Sequence, residues 1–141
     1  FWYPYYRAPI NRFAIPIIFY DPNGTLKGVD STLAQQLDIF PSIVDYIGFD
    51  KPVISWGRSL FSDNSGVPFS IHFSGTVYRF SMNDFTLVFD GQKTIGVYSI
   101  DDLFLENNLI ENKKINYVLE EKYLNSFLQD YIQRIVERKL N

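Results

Sequence analysis

The 141-residue chain has 13 lysines and arginines against 16 aspartates and glutamates, no cysteine, and 18% aromatic residues. This length suits one domain, and 46% hydrophobic with 21% charged residues is typical of a folded protein. The lack of cysteine excludes disulfides and thiolate metal sites. No lysine- or arginine-rich run occurs outside the final helix, so nucleic acid has no electrostatic footprint. No apolar stretch approaches the ~18–20 residues of a membrane span, and we expect the chain to be soluble as it stands.

Five of the first six residues, in "FWYPYY", are aromatic. They could stack on sugars, stack on nucleic-acid bases, or contact another part of a protein. Bases would require basic neighbours, and only Arg7 and Arg12 are close. A contiguous apolar patch more often marks a protein interface, which is the interpretation we favour. The alternative is a free-standing carbohydrate-binding module that uses these aromatic side chains: Phe1, Trp2, Tyr3, Tyr5 and Tyr6.

The first half of the chain predicts one strand and one helix. The apolar run Ala14–Tyr20 is typical of a strand buried on both faces, although Pro16 restricts it to a sheet margin. The segment "DPNGTLKG" then predicts a turn, since it lacks the alternating oxygen ligands and terminal glutamate of a calcium loop. A helix is expected from Asp38, as N-cap, to Ile47, and Gly48 should end it. Its predicted apolar face consists of Ile39, Phe40, Ile43, Val44 and Ile47. Residues 53–68 predict a surface loop.

From residue 67 the hydrophobic period changes to two. The pattern predicts a four-stranded antiparallel meander over Phe69–Ile100, with turns at Gly75, Asn83-Asp84 and Asp90-Gly91. A short helical or irregular segment follows, capped by Asp101 or Asp102. A long amphipathic helix over Lys114–Lys139 should then cover the sheet. Its predicted apolar stripe contains Leu124, Phe127, Leu128, Tyr131, Ile135 and Val136.

Individual residues give little sign of catalysis. His72 is the only histidine, and the alternation places it on the same side of a strand as Ser70, where we expect it to be partly exposed. A metal site or a nucleophilic triad would need further partner residues, and no motif supplies them. No glycine-rich phosphate loop is present. The acidic residues Asp101, Asp102, Glu111, Glu120 and Glu121 predict solvated surface rather than acid–base pairs.

Several ordered segments resemble the sulfatase branch of the alkaline-phosphatase superfamily. In that family an Asp is followed by Pro-Ser/Thr, by a helix that ends in Gly, and then by a Gly-Arg-Ser/Asp-Leu loop. The segments "QQLDIFPSIVDYIG" and "SWGRSLF" are similar to this order. "AIPIIFYDPNGTLKG" resembles its penultimate core strand, and "FDGQKTIGVYSIDDLFLENNLI" its last hairpin in the lipoteichoic acid synthase and phosphoglycerol transferase subgroup. The likeness covers residues 12–112. The matching positions are Asp38, Pro41, Ser42, Gly48, Gly57, Arg58, Ser59 and Leu60.

This resemblance implies a C-terminal, non-catalytic part of a larger enzyme. The family's nucleophile and its metal-binding residues lie upstream of the segment matching Ala14–Tyr20, so no catalytic, cofactor-binding or metal residue is assigned here. The parent would use a divalent metal (Zn, Mn, Mg or Ca) on a sulfate or phosphate ester, and would be anchored to the cell membrane with its enzymatic domain outside the cytoplasm. The aromatic start would pack against the missing N-terminal catalytic part, and the chain alone should be inactive.

The resemblance also sets the expected architecture. It implies the C-terminal end of an alkaline-phosphatase-like α/β fold, which as an isolated chain is α+β. Residues 1–66 would form the terminal strand, helix and loop of the sulfatase-like core. Residues 67–141 would form a subdomain of antiparallel sheet plus helix. The matched residues are the family's structural ones, and Arg58 is expected to hold down its loop through its fork of donors.

Overall fold

The structure, a computed structural model, describes residues 3–63 and 66–139. These residues form a mixed α and β fold. Helix α1 spans Tyr3–Arg7, short 3-10 helices span Asn11–Phe13 and Gln36–Asp38, and helix α2 spans Ile39–Tyr46. Strands β1 (Phe69–Ser74), β2 (Val77–Met82), β3 (Phe85–Phe89) and β4 (Thr94–Ser99) follow, and helix α3 spans Val118–Val136. Helix α1 was not predicted from the sequence.

The four strands form the predicted antiparallel meander, in the order β1-β2-β3-β4. The register places Ile71 opposite Phe80, Phe80 opposite Leu87, and Leu87 opposite Val97. One face of the sheet is therefore a continuous apolar surface, as the period-two pattern requires. The β2–β3 turn depends on Asn83, whose φ of 50° lies in the left-handed region that Asn tolerates.

The hydrophobic core lies between this apolar face and helix α3. Leu124 is 0% exposed and Leu128 is 8% exposed, and both pack against the sheet, which confirms that α3 covers it. The predicted apolar stripe is only partly right, because the last turns of α3 extend beyond the sheet and leave Ile135 and Val136 exposed. Among the described residues, every member of the core cluster lies in the range 69–128.

Helix α3 is shorter than the predicted Lys114–Lys139. It begins at Val118, whose N–H donates to Asn116 Oδ1 at 3.2 Å, so the preceding residues fold into turns instead. It ends at Val136, because Arg138 takes a left-handed φ of 55° and the N–H of Lys139 returns to the Arg134 carbonyl. This is the usual way for a left-handed residue to end a helix.

The predicted strand Ala14–Tyr20 is wrong. The segment is irregular, and three of its apolar side chains are exposed, Ile15 by 66%, Ile18 by 83% and Tyr20 by 86%, whereas Ile17 and Phe19 are half-buried. Pro16 has no N–H to donate to a ladder, and the four-stranded sheet of the described residues does not include this segment. The segment therefore has the composition of a strand but no partner strand among the described residues.

Of the turns predicted at Asp21 and at Asp90-Gly91, the first is confirmed and the second has a different form. The predicted turn at Asp21 is confirmed, since its carboxylate accepts hydrogen bonds from the N–H of Asn23 at 2.9 Å and of Thr25 at 2.7 Å. The tight turn predicted at Asp90-Gly91 is instead a longer connection, in which Phe89 pairs with Thr94. Asp90 Oδ1 accepts from the N–H groups of Gln92 and Lys93, which closes this loop around the carboxylate.

Candidate functional site

Six of the eight positions that match the family pattern meet along one side of α2, namely Asp38, Ser42 and Gly57–Leu60. Asp38, Ser42 and Asp45 lie four and three residues apart, a spacing that places them on the same side of a helix. Asp38 is 1% exposed and Ser42 is 0% exposed. This side of α2 packs on the segment Gly57–Leu60, and we call the assembly of Asp38, Ser42, Asp45 and residues 57–60 the polar cluster.

The polar cluster is held by side-chain bonds to the backbone. Asp38 Oδ1 accepts from the N–H of Arg58 at 2.9 Å, and its Oδ2 accepts from the N–H of Gln35 at 2.9 Å. Ser42 Oγ donates to the Asp38 carbonyl at 2.6 Å and accepts from the N–H of Leu60 at 2.9 Å. Ser59 Oγ donates to Asp45 Oδ2. These bonds join segments about 20 residues apart in sequence, and the Tyr46 and Phe61 rings, 5.6 Å apart, add an apolar contact between them.

Asp38 occupies the N-cap position of α2, as predicted, but does not act as a side-chain cap. Its backbone is already helical, and its side chain makes no cap bond to α2. Asp38 instead closes a capping box with Gln35 at the start of the preceding 3-10 helix. The carboxylate is thus directed to Gln35 and Arg58. The predicted end of α2 is confirmed, with Gly48 at a φ of 68°.

Arg58 holds its loop as expected. Its Nη2 donates to the Leu33 carbonyl at 3.2 Å, which links the loop to the segment before α2. Gly57 allows the approach, because a Cβ at this position would lie 2.0 Å from the carbonyl oxygen of Leu37. A side chain at residue 57 is therefore incompatible with the polar cluster.

The predicted apolar face of α2 is only partly buried, because Ile39 and Val44 are half-buried and its other three residues are exposed. Phe40 is 53% exposed, Ile43 47% and Ile47 66%. The hydrogen-bonding groups on the opposite side are buried instead, so α2 is inverted relative to an ordinary surface helix. Together with Ile15, Ile18 and Tyr20, this face gives the first half of the chain a large unpartnered apolar surface.

His72 lies across the sheet from Arg79 on the face opposite the core. The Phe13 ring packs on the imidazole with 4.5 Å between centroids, so a residue predicted to be partly exposed is partly covered by the first 3-10 helix. Burial, and secondarily the charge of Arg79, lower the pKa of His72 to about 4. His72 is therefore neutral near pH 7.

The prediction of solvated carboxylates is wrong for one pair. Glu120 is 5% exposed and its Oε1 accepts from Asn83 Nδ2 at 2.8 Å, while Glu121 Oε1 accepts from Thr94 Oγ1 at 2.6 Å. Both lie in the first turn of α3, where negative charge is favoured, and they attach α3 to two points of the sheet.

Among the described residues, the other carboxylates do not form a metal site with Glu120 and Glu121. Asp102 closes the irregular segment after β4, accepting from the N–H of Asn107 at 2.8 Å, and Glu111 is exposed. The Asn107 bond is the chief cause that lowers the pKa of Asp102. Within residues 3–63 and 66–139, no cluster of three or more histidine or carboxylate side chains could hold a metal ion.

An aromatic groove lies beside α3 and was not predicted. It encloses about 440 Å³ and is lined by Trp56, Phe69, Leu119, Lys122, Tyr123, Ser126 and Phe127. Trp56 Nε1 donates to Asp130 Oδ2 at 2.6 Å, and its ring packs edge-on against Tyr131. The sequence signal was the isolated Trp56 in a polar loop, a residue type that rarely lies exposed without a partner.

The aromatic cluster at the start of the chain is described only in part. Phe1 and Trp2 lie outside the described residues. Tyr5 and Tyr6 are 54% and 42% exposed, and their rings meet edge to face at 5.1 Å. The described aromatic side chains of α1 therefore present open surface.

No protein-family model, curated protein or solved structure matches this chain. No helix in the described part of the chain is long and apolar enough to cross a membrane.

Proposed function

We propose that this chain is the C-terminal, non-catalytic part of a metal-dependent, sulfatase-like hydrolase or transferase acting on sulfate or phosphate esters. One observation carries the proposal: residues with the family's spacing, Asp38, Ser42, Gly57 and Arg58, are joined in one polar cluster. Scattered residues that matched a motif by chance would have no reason to share hydrogen bonds.

The exposed apolar face of α2 supports a missing partner surface. An amphipathic helix that buries its polar side and exposes Phe40, Ile43 and Ile47 leaves apolar area in water, which costs free energy. In the proposal, the preceding catalytic part of the same polypeptide covers this face together with Ile15 and Ile18. The nucleophile and the divalent metal lie in that part, and the parent acts at the outer side of a cell membrane.

The test compares the chain alone with a longer polypeptide that contains the upstream coding sequence followed by this chain. Both are assayed with p-nitrophenyl sulfate and p-nitrophenyl phosphate in the presence of Zn²⁺, Mn²⁺, Mg²⁺ or Ca²⁺. We expect metal-dependent cleavage by the longer protein and none by the chain alone. Cleavage by the chain alone, or an upstream sequence without the family's nucleophile and metal-binding residues, would overturn the proposal.

A matched pair of variants tests the docking face in the longer protein. Ile47→Lys places a charge on the α2 face and should lower both activity and the yield of folded protein. Val29→Lys introduces the same side chain at a position 98% exposed and should leave both unchanged. Equal effects of the two variants would argue against docking on α2.

The aromatic groove supports a second candidate, a carbohydrate-binding module. Trp56, Tyr123 and Phe127 offer aromatic surface for a sugar ring, and Lys122 and Ser126 offer donors at its edge. This places the stacking surface at the groove instead of at Phe1–Tyr6. Titration of glycan oligomers against the wild type and Trp56→Ala tests it, and binding unaffected by Trp56→Ala would exclude the groove.

A further inference from the structure

Arg79 is a charged residue with two guanidinium nitrogens that have no acceptor among the described residues. Its Nε and Nη1 are shielded from solvent and have no hydrogen-bond partner in the described part of the chain. Both ion pairs of the described residues involve other side chains, Arg134 with Asp130 and Lys139 with Glu137. A guanidinium withdrawn from water needs an acceptor to offset the loss of its hydration.

The neighbouring side chain has the same deficit. His72 lies directly opposite Arg79 in the β1–β2 pair, where side chains on one face stand within contact range. Its Nε2 is also shielded and without a partner. On Nε and Nη1, Arg79 therefore presents three free N–H groups, beside a ring nitrogen that can supply a fourth.

A third donor residue, Gln35, lies at the outer edge of β1. Gln35 Oε1 accepts from the N–H of Ile71, the residue before His72, at 3.2 Å. Its Nε2 is shielded from solvent and has no partner among the described residues. This part of the β1–β2 pair thus collects donors and one fixed positive charge, with no carboxylate within 4.0 Å of Arg79 in the described chain.

We propose that Arg79 and His72 bind an oxyanion (a sulfate, phosphate or carboxylate group) on the face of the β1–β2 pair opposite the core, with Phe13 as the outer wall. The planar fork of a guanidinium matches two oxygens of such a group, and a neutral imidazole N–H can donate to a third. Phe13 packs on His72 and is itself 43% exposed, so the site lies directly beneath a surface side chain. The proposal does not depend on the enzyme family of the parent.

The experiment is an NMR titration of the chain with sodium sulfate, sodium phosphate and sodium acetate, each at constant ionic strength against sodium chloride. The probes are the Nε–H resonance of Arg79 and the Cε1–H resonance of His72, which is unambiguous because the chain has one histidine. We expect saturable shifts of both resonances with at least one oxyanion and none with chloride. Saturation with sulfate or phosphate indicates a free tetrahedral anion, and saturation with acetate alone indicates a carboxylate side chain of a partner.

Matched variants locate the binding. Arg79→Gln should weaken the affinity for the oxyanion at least tenfold, whereas Arg138→Gln makes the same change at an exposed position and should leave it unaltered. The wild-type titration stands on its own if Arg79→Gln does not fold. Linear shifts without saturation, or equal loss in both variants, would show an adventitious ion only and would overturn the proposal.

Discussion

Gly57 packs so closely on Leu37 that an added Cβ would lie 2.0 Å from the Leu37 carbonyl oxygen and 2.6 Å from the Asp38 nitrogen. Because the obstructing atoms belong to the backbone, no rotamer change can relieve the contact. Gly57→Ala should therefore separate the loop from α2, and we expect a loss of about 1–3 kcal/mol, as for overpacking in other proteins. Urea unfolding followed by circular dichroism measures it.

Gly96 provides the control for this prediction. A Cβ there would lie 2.7 Å from Tyr98 Cε2, which belongs to a side chain that can rotate. Gly96→Ala should be rescued by adding Tyr98→Ala, whereas truncating the Leu37 side chain should not rescue Gly57→Ala. Rescue of Gly57→Ala by Leu37→Ala would contradict the backbone contact.

Ser42 determines whether the N–H of Leu60 has an acceptor. Ser42→Ala removes the Oγ that accepts at 2.9 Å and leaves this N–H without its partner. A buried donor left unsatisfied costs about 1–3 kcal/mol. Hydrogen exchange should show a faster Leu60 amide in Ser42→Ala and no change in Ser126→Ala, an exposed serine on α3. Unchanged exchange at Leu60 would mean that water replaces Ser42.

The sequence predicted the sheet and α3 well because both follow a simple rule. Residues from Phe69 to Ser99 alternate in polarity, and burial of the apolar face under Leu124 and Leu128 satisfies that period. The end of α3 was less predictable, since it depends on the left-handed conformation of Arg138, a residue type with no strong preference for it.

The first half was predicted less well because its composition and its burial disagree. The apolar pattern of Ala14–Tyr20 indicated a buried strand, and that of α2 indicated a buried apolar face, yet most of the apolar side chains in both are exposed. The buried sites of the candidate region, Asp38 and Ser42, are polar and have no periodic signature. Bonds between residues 20 apart in sequence, such as Asp38 to Arg58, leave no local pattern to detect.

The exposed face of α2 gives a prediction about stability. Ile47→Lys in the chain alone should change the free energy of unfolding by no more than about 0.5 kcal/mol, because Ile47 is 66% exposed and few contacts are lost. Leu124→Ala, at a position 0% exposed in the core, should cost about 2–5 kcal/mol. Thermal unfolding of both variants measures the contrast. A large loss in Ile47→Lys would show that the α2 face is packed within the chain.

The lowered pKa of His72 makes stability depend on pH in a defined window. Its pKa is about 4 in the folded chain against 6.5 for an unperturbed histidine, so between these values the unfolded chain binds more protons. Stability should therefore be full above about pH 6.5, fall as the pH decreases towards about 4, and lose nothing further from this group below that. Urea unfolding at about pH 7 and about pH 5 should show the difference in the wild type.

Two variants assign this window to His72. His72→Gln should remove the pH dependence of stability between about pH 6.5 and about pH 4. The loss of stability due to Asp21 should remain, because the Thr25 hydrogen bond is the chief cause that lowers the pKa of Asp21 to about 2, and this loss occurs below about pH 4. Phe13→Ala should expose the imidazole and raise the pKa of His72 towards 6.5, since burial is the larger cause of the shift. The Cε1–H titration of the single histidine measures that pKa directly, and an unchanged value in Phe13→Ala would mean that Arg79, not the Phe13 ring, keeps His72 neutral.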